Sequence, residues 1–373
     1  MIYLDNAATT KPKSEVIKVI TESLSEDWAN PSSKYKPSHK VKRKIEEARK
    51  IIANSINAEP QEIYFTSGGS EANCMAIKSL DNPYNHTWIV TSEIEHKSII
   101  SHQRCDSRYE VPVNEDGLID IECLSKWLEY RYAHDKCGDN VIVSIQYANN
   151  ETGVIQDIKR ISEIVHKYGY IFHTDAVQAY PHGTIDVKAF GIDMMSVSGH
   201  KFGAPKGIGF LYISDSIAGG IENSLIYGSQ ERGLRGGTEN TPYILGLAKA
   251  VELKSNVDLI DKRKYFETEL EKIGCRINCK DSIRLDSIIS CTLPEGIVGE
   301  TMMYYLSFQE IYVSTGSACN SSSQSPSWVL QAIGLTDDEI RRTIRISISE
   351  ETTKEDIDAT VKCMAKIIED NKI

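Results

Sequence analysis

The chain has 373 residues and a formal net charge of −11, with 42 Lys or Arg residues against 53 Asp or Glu residues. This acidic balance, without a long run of Lys or Arg, excludes the electrostatic footprint of a nucleic-acid-binding protein. No apolar run approaches the length that spans a bilayer, so a membrane partner is not expected either. The length is about twice that of a typical single domain and predicts two lobes with a cleft between them.

The N-terminus and the cysteines indicate a cytoplasmic protein. The first residues run into Asp5 without the basic start and apolar stretch of a signal peptide. Nine cysteines, spread from Cys74 to Cys363, lack the paired C-x-x-C spacing of zinc sites and redox dithiols. We therefore expect free thiols in a reducing compartment, and a small buried hydrophobic side chain is the first interpretation of each one.

Short β-branched or aromatic runs alternate with amphipathic stretches between about residues 62 and 213, which is typical of strands and crossover helices. The predicted strands here are Ile63–Thr66, Thr87–Thr91, Val141–Tyr147, Tyr170–Thr174, Met194–Ser198 and Gly209–Ile213. Ile158–Tyr168 is one of the predicted helices between them. The pattern predicts an α/β fold in which helices cover both faces of a mainly parallel sheet.

From about Tyr243 the pattern changes to a long predicted helix that runs through Gly274. Shorter strand-like runs follow at Ile288–Thr292 and Arg345–Ile348. We therefore predict a large domain at residues 14–250 and a smaller α+β domain formed by residues 1–13 and 251–373. The Ser-rich stretch Ser314–Pro326 lies in the smaller domain and has the composition of a surface loop.

Chemically useful side chains follow three predicted strands, at the sheet edge where open α/β sheets bind ligands. The small residues of Thr66–Asn73 open a helix whose free N–H groups can hold a phosphate, although glycine turns before helices are common. Asp175 is either a helix cap or the group that keeps a pyridine nitrogen protonated. Lys201 is either a solvated lysine or the residue that binds pyridoxal covalently. Together they predict a site for pyridoxal 5′-phosphate.

Six strings of the sequence resemble those of the cysteine desulfurases. They are Tyr3–Thr10, Asn149–Gly153, Asp175–Gln178, Ser198–Lys201, Arg235–Thr238 and Ser314–Cys319. The last string resembles the active-cysteine loop of the desulfurase group in which that loop is long and mobile. The similarity runs in order from residue 3 to about residue 353. It implies the class-V aminotransferase family and the large pyridoxal-enzyme fold (fold type I) of the aspartate-aminotransferase type, usually a homodimer.

The resemblance also implies a role for each matching residue. Lys201 would bind the cofactor and shuttle protons, Cys319 would take the sulfur, and His96 would stack on the ring and move substrate protons. The implied cofactor ligands are Gly69, Ser70, Asp175, Gln178, Ser198, His200 and Thr238, of which Thr238 would reach the phosphate of the neighbouring subunit. Asn150 and Arg345 would bind the substrate carboxylate, a planar bidentate task that suits a guanidinium group.

These roles describe an enzyme that converts L-cysteine to L-alanine and holds the sulfur as a persulfide on Cys319. A sulfur-acceptor protein is the expected partner, either a scaffold for iron–sulfur clusters or a sulfurtransferase that serves thio-cofactors or tRNA thiolation. The chain ends at Ile373 without the longer tail with which housekeeping iron–sulfur desulfurases dock a scaffold. The sequence therefore leaves the acceptor open.

Other functions stand as alternatives. A selenocysteine lyase or an aminotransferase would use the same fold, but Cys319 favours desulfuration because transamination needs no nucleophilic thiol. A non-catalytic interaction protein could keep the fold, although the retention of Lys201, Asp175, His96 and Cys319 argues against it. A metal-dependent hydrolase is disfavoured because the histidines lack ligand spacing. Cys275 and Cys279, at helix-like spacing, have no further ligands, and no metal is expected.

Overall fold

The computed structural model describes residues 1–80, 87–101, 107–134, 139–221, 225–254, 257–315 and 326–370. In chain order the described strands are β1 (Ile2–Tyr3), β2 (Ile63–Thr66), β3 (Thr87–Ser92), β4 (Arg108–Val111), β5 (Asn140–Ser144), β6 (Ile171–Asp175), β7 (Met194–Ser198), β8 (Gly209–Ile213), β9 (Arg276–Ile277), β10 (Ile288–Thr292), β11 (Ile311–Tyr312), β12 (Ser314–Thr315) and β13 (Thr343–Ser347).

The described α-helices are, in the same order, α1 (Ser14–Glu26), α2 (Lys36–Asn54), α3 (Gly69–Lys78), α4 (Lys97–Ile100), α5 (Ile121–His134), α6 (Ile158–His166), α7 (Asp215–Ala218), α8 (Thr241–Glu252), α9 (Ile260–Lys272), α10 (Gly299–Phe308), α11 (Trp328–Ala332), α12 (Asp337–Arg341) and α13 (Lys354–Asp370). Within the described ranges, none of these helices combines the length and apolar character that crossing a bilayer requires.

A seven-stranded sheet forms the centre of the larger part of the chain, in the order β2-β8-β7-β6-β5-β3-β4. The five strands from β7 to β4 are parallel, and β8 runs antiparallel to both of its neighbours. Successive side chains of β7 enter different cores: Met194 packs on the face that α3 covers, and Met195 packs on the face that α1, α2, α6 and α8 cover. The prediction of a mainly parallel sheet covered on both faces is confirmed.

A second sheet has the order β12-β13-β10-β9 and is antiparallel throughout, and β1 pairs with β11 beside it. Its core joins Phe266 of α9, Met364 of α13 and Ile346 of β13, and Leu4 from the N-terminal segment is fully buried among them. The fold is thus α/β with a smaller α+β part, as expected. The exact division at residues 13/14 and 250/251 stays a prediction.

The predicted long helix from Tyr243 to Gly274 is wrong, because α8 ends at Glu252 and α9 begins at Ile260. Lys254 lies two residues beyond the end of α8. Its Nζ donates hydrogen bonds to the backbone carbonyls of Tyr180 (2.8 Å) and Gly183 (2.6 Å), which ties the chain beyond α8 to that segment. Smaller differences are that β5 ends at Ser144, before the predicted Tyr147, and that Asp175 is the last residue of β6.

Candidate functional site

A cavity of about 320 Å³ lies at the start of α3, at the edge of the central sheet. Gly69, Ser70, Ser198 and His200, the four residues predicted to hold a phosphate, all line it. Ser198 and His200 come from the end of β7, and Gly69 and Ser70 form the first turn of α3. Free N–H groups and the positive end of the helix dipole favour an anion at such a position.

Gly69 is required by the close approach of α3 to the neighbouring strand ends. A Cβ atom at residue 69 would lie 2.7 Å from Cγ2 of Val177 and 3.3 Å from Cβ of Ser198. The first of these distances is too short for a carbon–carbon contact. Glycine therefore lets the helix begin directly against β7 and the turn after β6.

Lys201 follows His200 at the same sheet edge and is tied to the N-terminal segment. Its Nζ donates hydrogen bonds to the carbonyls of Ala7 (2.6 Å) and Ala8 (2.9 Å). Gln178 Nε2 donates to the same Ala7 carbonyl at 3.0 Å. The string Tyr3–Thr10, whose first residue ends β1, thus lies beside the predicted cofactor residues.

The Asp175 carboxylate is held in place by two hydrogen bonds. Asn73 Nδ2 donates to Oδ2 at 2.7 Å, and the Val177 backbone N–H donates to Oδ1 at 2.9 Å. Asn73 also donates to the Ser98 hydroxyl at 2.9 Å, while its Oδ1 is buried without a hydrogen-bond partner among the described residues. Asn73 was not singled out from the sequence, although it closes the string Thr66–Asn73.

His96 caps α4 and faces the same group of charges. Its Nδ1 lies 2.8 Å from the Ser98 hydroxyl and accepts a hydrogen bond from the Ser98 N–H. Burial lowers the pKa of His96, the negative charge of Asp175 opposes this change, and the positive charge of Lys201 adds to it. His96 is therefore mostly neutral near pH 7. Burial also lowers the pKa of His200, to about 4, with Lys201 and Lys206 acting in the same direction.

Arg345 is 4% exposed and joins the smaller sheet to the site. Its Nη2 donates to Asp5 Oδ1 at 2.7 Å, and its Nη1 donates to the Asn150 carbonyl at 2.9 Å. Its Nε is buried without a hydrogen-bond partner among the described residues. The two residues predicted to bind the substrate carboxylate are therefore in direct contact, and the Nε N–H of Arg345 is unpaired among the described residues.

Two buried carboxyl groups next to predicted site residues were missed by the sequence analysis. Burial raises the pKa of Glu95 to about 8, against the hydrogen bonds from Ser92 and from the Gln146 N–H. Burial likewise raises the pKa of Glu151 to about 7, against its hydrogen bond from Ser327. The sequence signal that could have identified them is their position next to predicted site residues, since Glu95 precedes His96 and Glu151 follows Asn150.

Cys319 and Thr238 complete the set of predicted site residues. Cys319 lies outside the described residues, and Thr238 is exposed. Cys275 and Cys279 are buried, and Cys279 has a backbone φ of 49°, so the two do not share a helix. Among the parts of the chain that the structure describes, no group of three or more His, Cys, Asp or Glu side chains could hold a metal ion.

Comparison with known proteins gives one consistent family. The family model described as aminotransferase class-V matches residues 2–360. The chain is 39% identical over 383 residues to the cysteine desulfurase IscS of Methanosarcina thermophila, which covers 99% of this chain and 92% of that relative. A solved NifS-like protein from Rickettsia africae matches with a TM-score of 0.85 at 32% identity, over 99% of both chains. SspA, solved in complex with cysteine, matches with a TM-score of 0.80 at 33% identity, over 93% of this chain and 99% of SspA.

Proposed function

The chain belongs to the aminotransferase class-V family and, within it, to the cysteine desulfurases, and we propose that it moves the sulfur atom of L-cysteine onto Cys319 and leaves L-alanine. The observation that carries the proposal is the meeting of Asp175, Lys201 and His96 at one sheet edge. Asn73 donates hydrogen bonds to both Asp175 and Ser98, Ser98 contacts His96 Nδ1, and Lys201 directly follows His200, which lines the cavity at the start of α3.

Pyridoxal 5′-phosphate is the cofactor of this family, and the described residues fit it. The helix start and its cavity suit the phosphate, and the carboxylate of Asp175 suits the ring nitrogen. The buried, unpartnered Oδ1 of Asn73 is expected where a bound group completes the site. We assign the phosphate to Gly69, Ser70, Ser198 and His200, the ring nitrogen to Asp175 and the phenolic oxygen to Gln178. When bound, the cofactor supplies an electron sink for the charge that develops at the substrate Cα.

The chain's own residues bind the substrate and move its protons. We assign the L-cysteine carboxylate to Arg345 and Asn150, because a buried guanidinium with a free N–H is a good carboxylate ligand. Lys201 Nζ takes the Cα proton, and His96, mostly neutral, can both accept and donate a proton at the substrate. Arg345 is 4% exposed, so water competes little with a carboxylate for its guanidinium group.

The sulfur step is assigned to Cys319 from the sequence resemblance, since this residue lies outside the described ranges. Its thiolate forms a sulfur–sulfur bond with the substrate Sγ, and the substrate Cβ–Sγ bond breaks. The electron pair of that bond stays on the carbon skeleton, which takes up a proton and becomes the methyl group of alanine. One L-cysteine and one thiol thus give one L-alanine and one persulfide, and no oxidant is consumed.

We further propose a homodimer that works in the cytoplasm. Thr238 is exposed, so it can reach a second copy of the chain, and Trp28 and Tyr227 are 77% and 90% exposed in one chain. Large exposed aromatic side chains of this kind are often interface residues. The described cysteines, Cys74, Cys123, Cys275, Cys279, Cys291 and Cys363, are free thiols, which supports a reducing compartment. A sulfur-acceptor protein, a scaffold or a sulfurtransferase, completes the proposed reaction.

The first experiment measures L-alanine and sulfide released from L-cysteine in the presence of a thiol reductant. The proposal expects equal amounts of both products from the cofactor-loaded wild type and nearly none from Cys319→Ala or Lys201→Ala. Full activity of Cys319→Ala would remove the persulfide step. A wild type that binds the cofactor and stays inert with L-cysteine would contradict the proposed substrate.

A further inference from the structure

Ser327 and Trp328 each contact the acidic neighbour of a predicted site residue. The Ser327 hydroxyl donates to Glu151 Oε2 at 2.7 Å, and Trp328 Nε1 donates to the Glu95 carbonyl at 3.2 Å. In the sequence Glu151 follows Asn150, and Glu95 precedes His96. Ser327 and Trp328 themselves follow closely after Cys319. Both contacts therefore join the chain just beyond Cys319 to the two turns that carry Asn150 and His96.

The contact between Ser327 and Glu151 is buried on both sides. Ser327 is 1% exposed and Glu151 is 5% exposed, so neither group can exchange its partner for bulk water. The Ser327 oxygen also accepts a hydrogen bond from the Leu330 N–H at 3.3 Å and thereby caps α11. A buried hydroxyl that donates to one side and accepts from the other has a fixed orientation, because losing either partner costs free energy.

The two contact points belong to one hydrogen-bonded network. The Glu95 carboxyl accepts from the backbone N–H of Gln146 at 3.0 Å, and Gln146 Nε2 donates to the Ile94 carbonyl at 2.6 Å. Asn149 Nδ2 donates to the same Ile94 carbonyl at 3.3 Å, and Asn149 Oδ1 accepts from the Glu151 N–H at 2.8 Å. The turn that carries His96 and the turn that carries Asn150 are therefore braced against each other before Ser327 and Trp328 dock on them.

We infer that Ser327 and Trp328 are positioning residues that hold the chain at residues 327–328, which follow Cys319 in the sequence, against the two turns that carry His96 and Asn150. The inference rests on the proposed function, because it concerns the rate at which the Cys319 thiol meets the substrate sulfur. Neither side chain touches the reacting atoms. We expect them to act by orientation: when the Cys319 thiol and the substrate sulfur are held in one arrangement, they react faster than by free encounter.

The test is a comparison of substrate binding with turnover in the cofactor-loaded protein. Ser327→Ala removes the hydroxyl group. Trp328→Phe removes the indole N–H but keeps an aromatic ring beside Lys97, whose Nζ lies 5.5 Å from the centroid of the Trp328 ring. Each hydrogen bond is worth about 0.5–1.5 kcal/mol, so each variant should lower kcat for alanine formation about 2- to 12-fold. The double variant should lower kcat at least about fivefold by the same reasoning. The L-cysteine dependence of the cofactor's absorbance change, which reports binding, should stay as in the wild type.

Glu151 provides a check by conservative substitution. Glu151→Gln keeps an amide oxygen that can accept from Ser327 and should lose less kcat than Glu151→Leu, which has no acceptor. Thr336→Ala is the matched control. Thr336 caps the next helix, α12, through the Glu339 N–H, and within the described residues its side chain hydrogen-bonds to Glu339 alone. Thr336→Ala should leave kcat for alanine formation unchanged.

Wild-type kcat in the Ser327→Ala/Trp328→Phe double variant would overturn the inference. So would weaker L-cysteine binding with unchanged kcat, which would assign these contacts to the carboxylate pocket. Both outcomes leave the proposed function standing when wild type forms alanine and Cys319→Ala does not. If Cys319→Ala is as active as wild type, the proposed function fails and this inference fails with it.

Discussion

Arg345 and Asp5, 340 residues apart in the sequence, form an ion pair with 2.7 Å between Nη2 and Oδ1. Asp5 also forms a β-bridge with Ser347, the last residue of β13, so the N-terminal segment is fixed beside the strand that carries Arg345. The guanidinium plane is then set by Asp5 on one side and by the Asn150 carbonyl on the other. Asp5 and Asn150 thus fix the orientation of the Arg345 guanidinium group, whose Nε has no hydrogen-bond partner among the described residues.

We predict that Asp5→Asn raises the KM for L-cysteine. The amide is isosteric and still accepts a hydrogen bond, but the charge-assisted part of the contact is lost, at about 1 kcal/mol or roughly a fivefold change in KM. kcat should change less, because Asp5 touches no reacting atom in this arrangement. Steady-state alanine formation measures both constants. A lower KM would instead mean that Asp5 competes with the substrate carboxylate for Arg345.

A second prediction concerns Asn73, which donates to Asp175. Asn73→Leu has a similar volume but no N–H, so Asp175 loses one of its two hydrogen bonds and the orientation that goes with it. Pyridoxal 5′-phosphate should then bind about tenfold more weakly, as measured by titration of the unliganded protein with the cofactor. Asn278→Leu is the control, because Asn278 donates to the Ser290 hydroxyl in the smaller sheet. It should lower the free energy of unfolding without changing cofactor affinity.

A third prediction concerns the contact of α3 with the turn after β6. Gly69→Ala places a methyl group 2.7 Å from Val177 Cγ2, so the start of α3 must move. We expect the variant to lose about 1–3 kcal/mol of unfolding free energy and to bind the cofactor more weakly. The double variant Gly69→Ala/Val177→Ala removes the Val177 methyl groups, one of which clashes with the methyl group added at residue 69. It should therefore recover most of the cofactor affinity. A single variant with wild-type affinity would show that the phosphate is not held at the start of α3.

The sequence predicted the strands that carry the site but not the contacts between them. Met194–Ser198 and Gly209–Ile213 were predicted at their observed bounds, because short buried strands stand out as β-branched or aromatic runs between turns. The break between α8 and α9 was missed, and Lys254 in that break contacts Tyr180 and Gly183, which are about 70 residues away in the sequence. Local patterns carry no information on such contacts.

The candidate site was predictable to a similar extent. Residues that follow strands could be found, since parallel strands bring their carboxyl ends to one edge. Glu95 and Glu151 were missed because a carboxylate in a sequence looks the same whether it is buried or solvated. Their burial is created by tertiary packing, and Glu151 meets Ser327, the N-cap residue of α11, which is 176 residues away in the sequence.

The last prediction concerns the pH dependence of stability through Glu95. Burial raises the pKa of this carboxyl from an ordinary value of 4.5 to about 8, so the folded protein keeps a proton there that the unfolded chain loses above about pH 4.5. The folded state binds more protons between these values, and the free energy of unfolding therefore falls as the pH rises toward 8. Above that pKa, folding carries the full cost of a buried carboxylate.

Glu95→Gln should remove this dependence. The amide oxygen can accept from the Gln146 N–H and the amide N–H can donate to the Ser92 hydroxyl, so the network is kept without an ionisable group. We expect wild type and variant to have similar unfolding free energies at about pH 5, and the variant to be more stable at about pH 9 by a few kcal/mol. Urea unfolding of both proteins at the two pH values measures the difference. Glu59→Gln, at a mostly exposed carboxylate, is the control and should show no such pH-dependent gain. A Glu95→Gln difference that is the same at both pH values would mean that Glu95 ionises in the folded protein as it does in the unfolded chain.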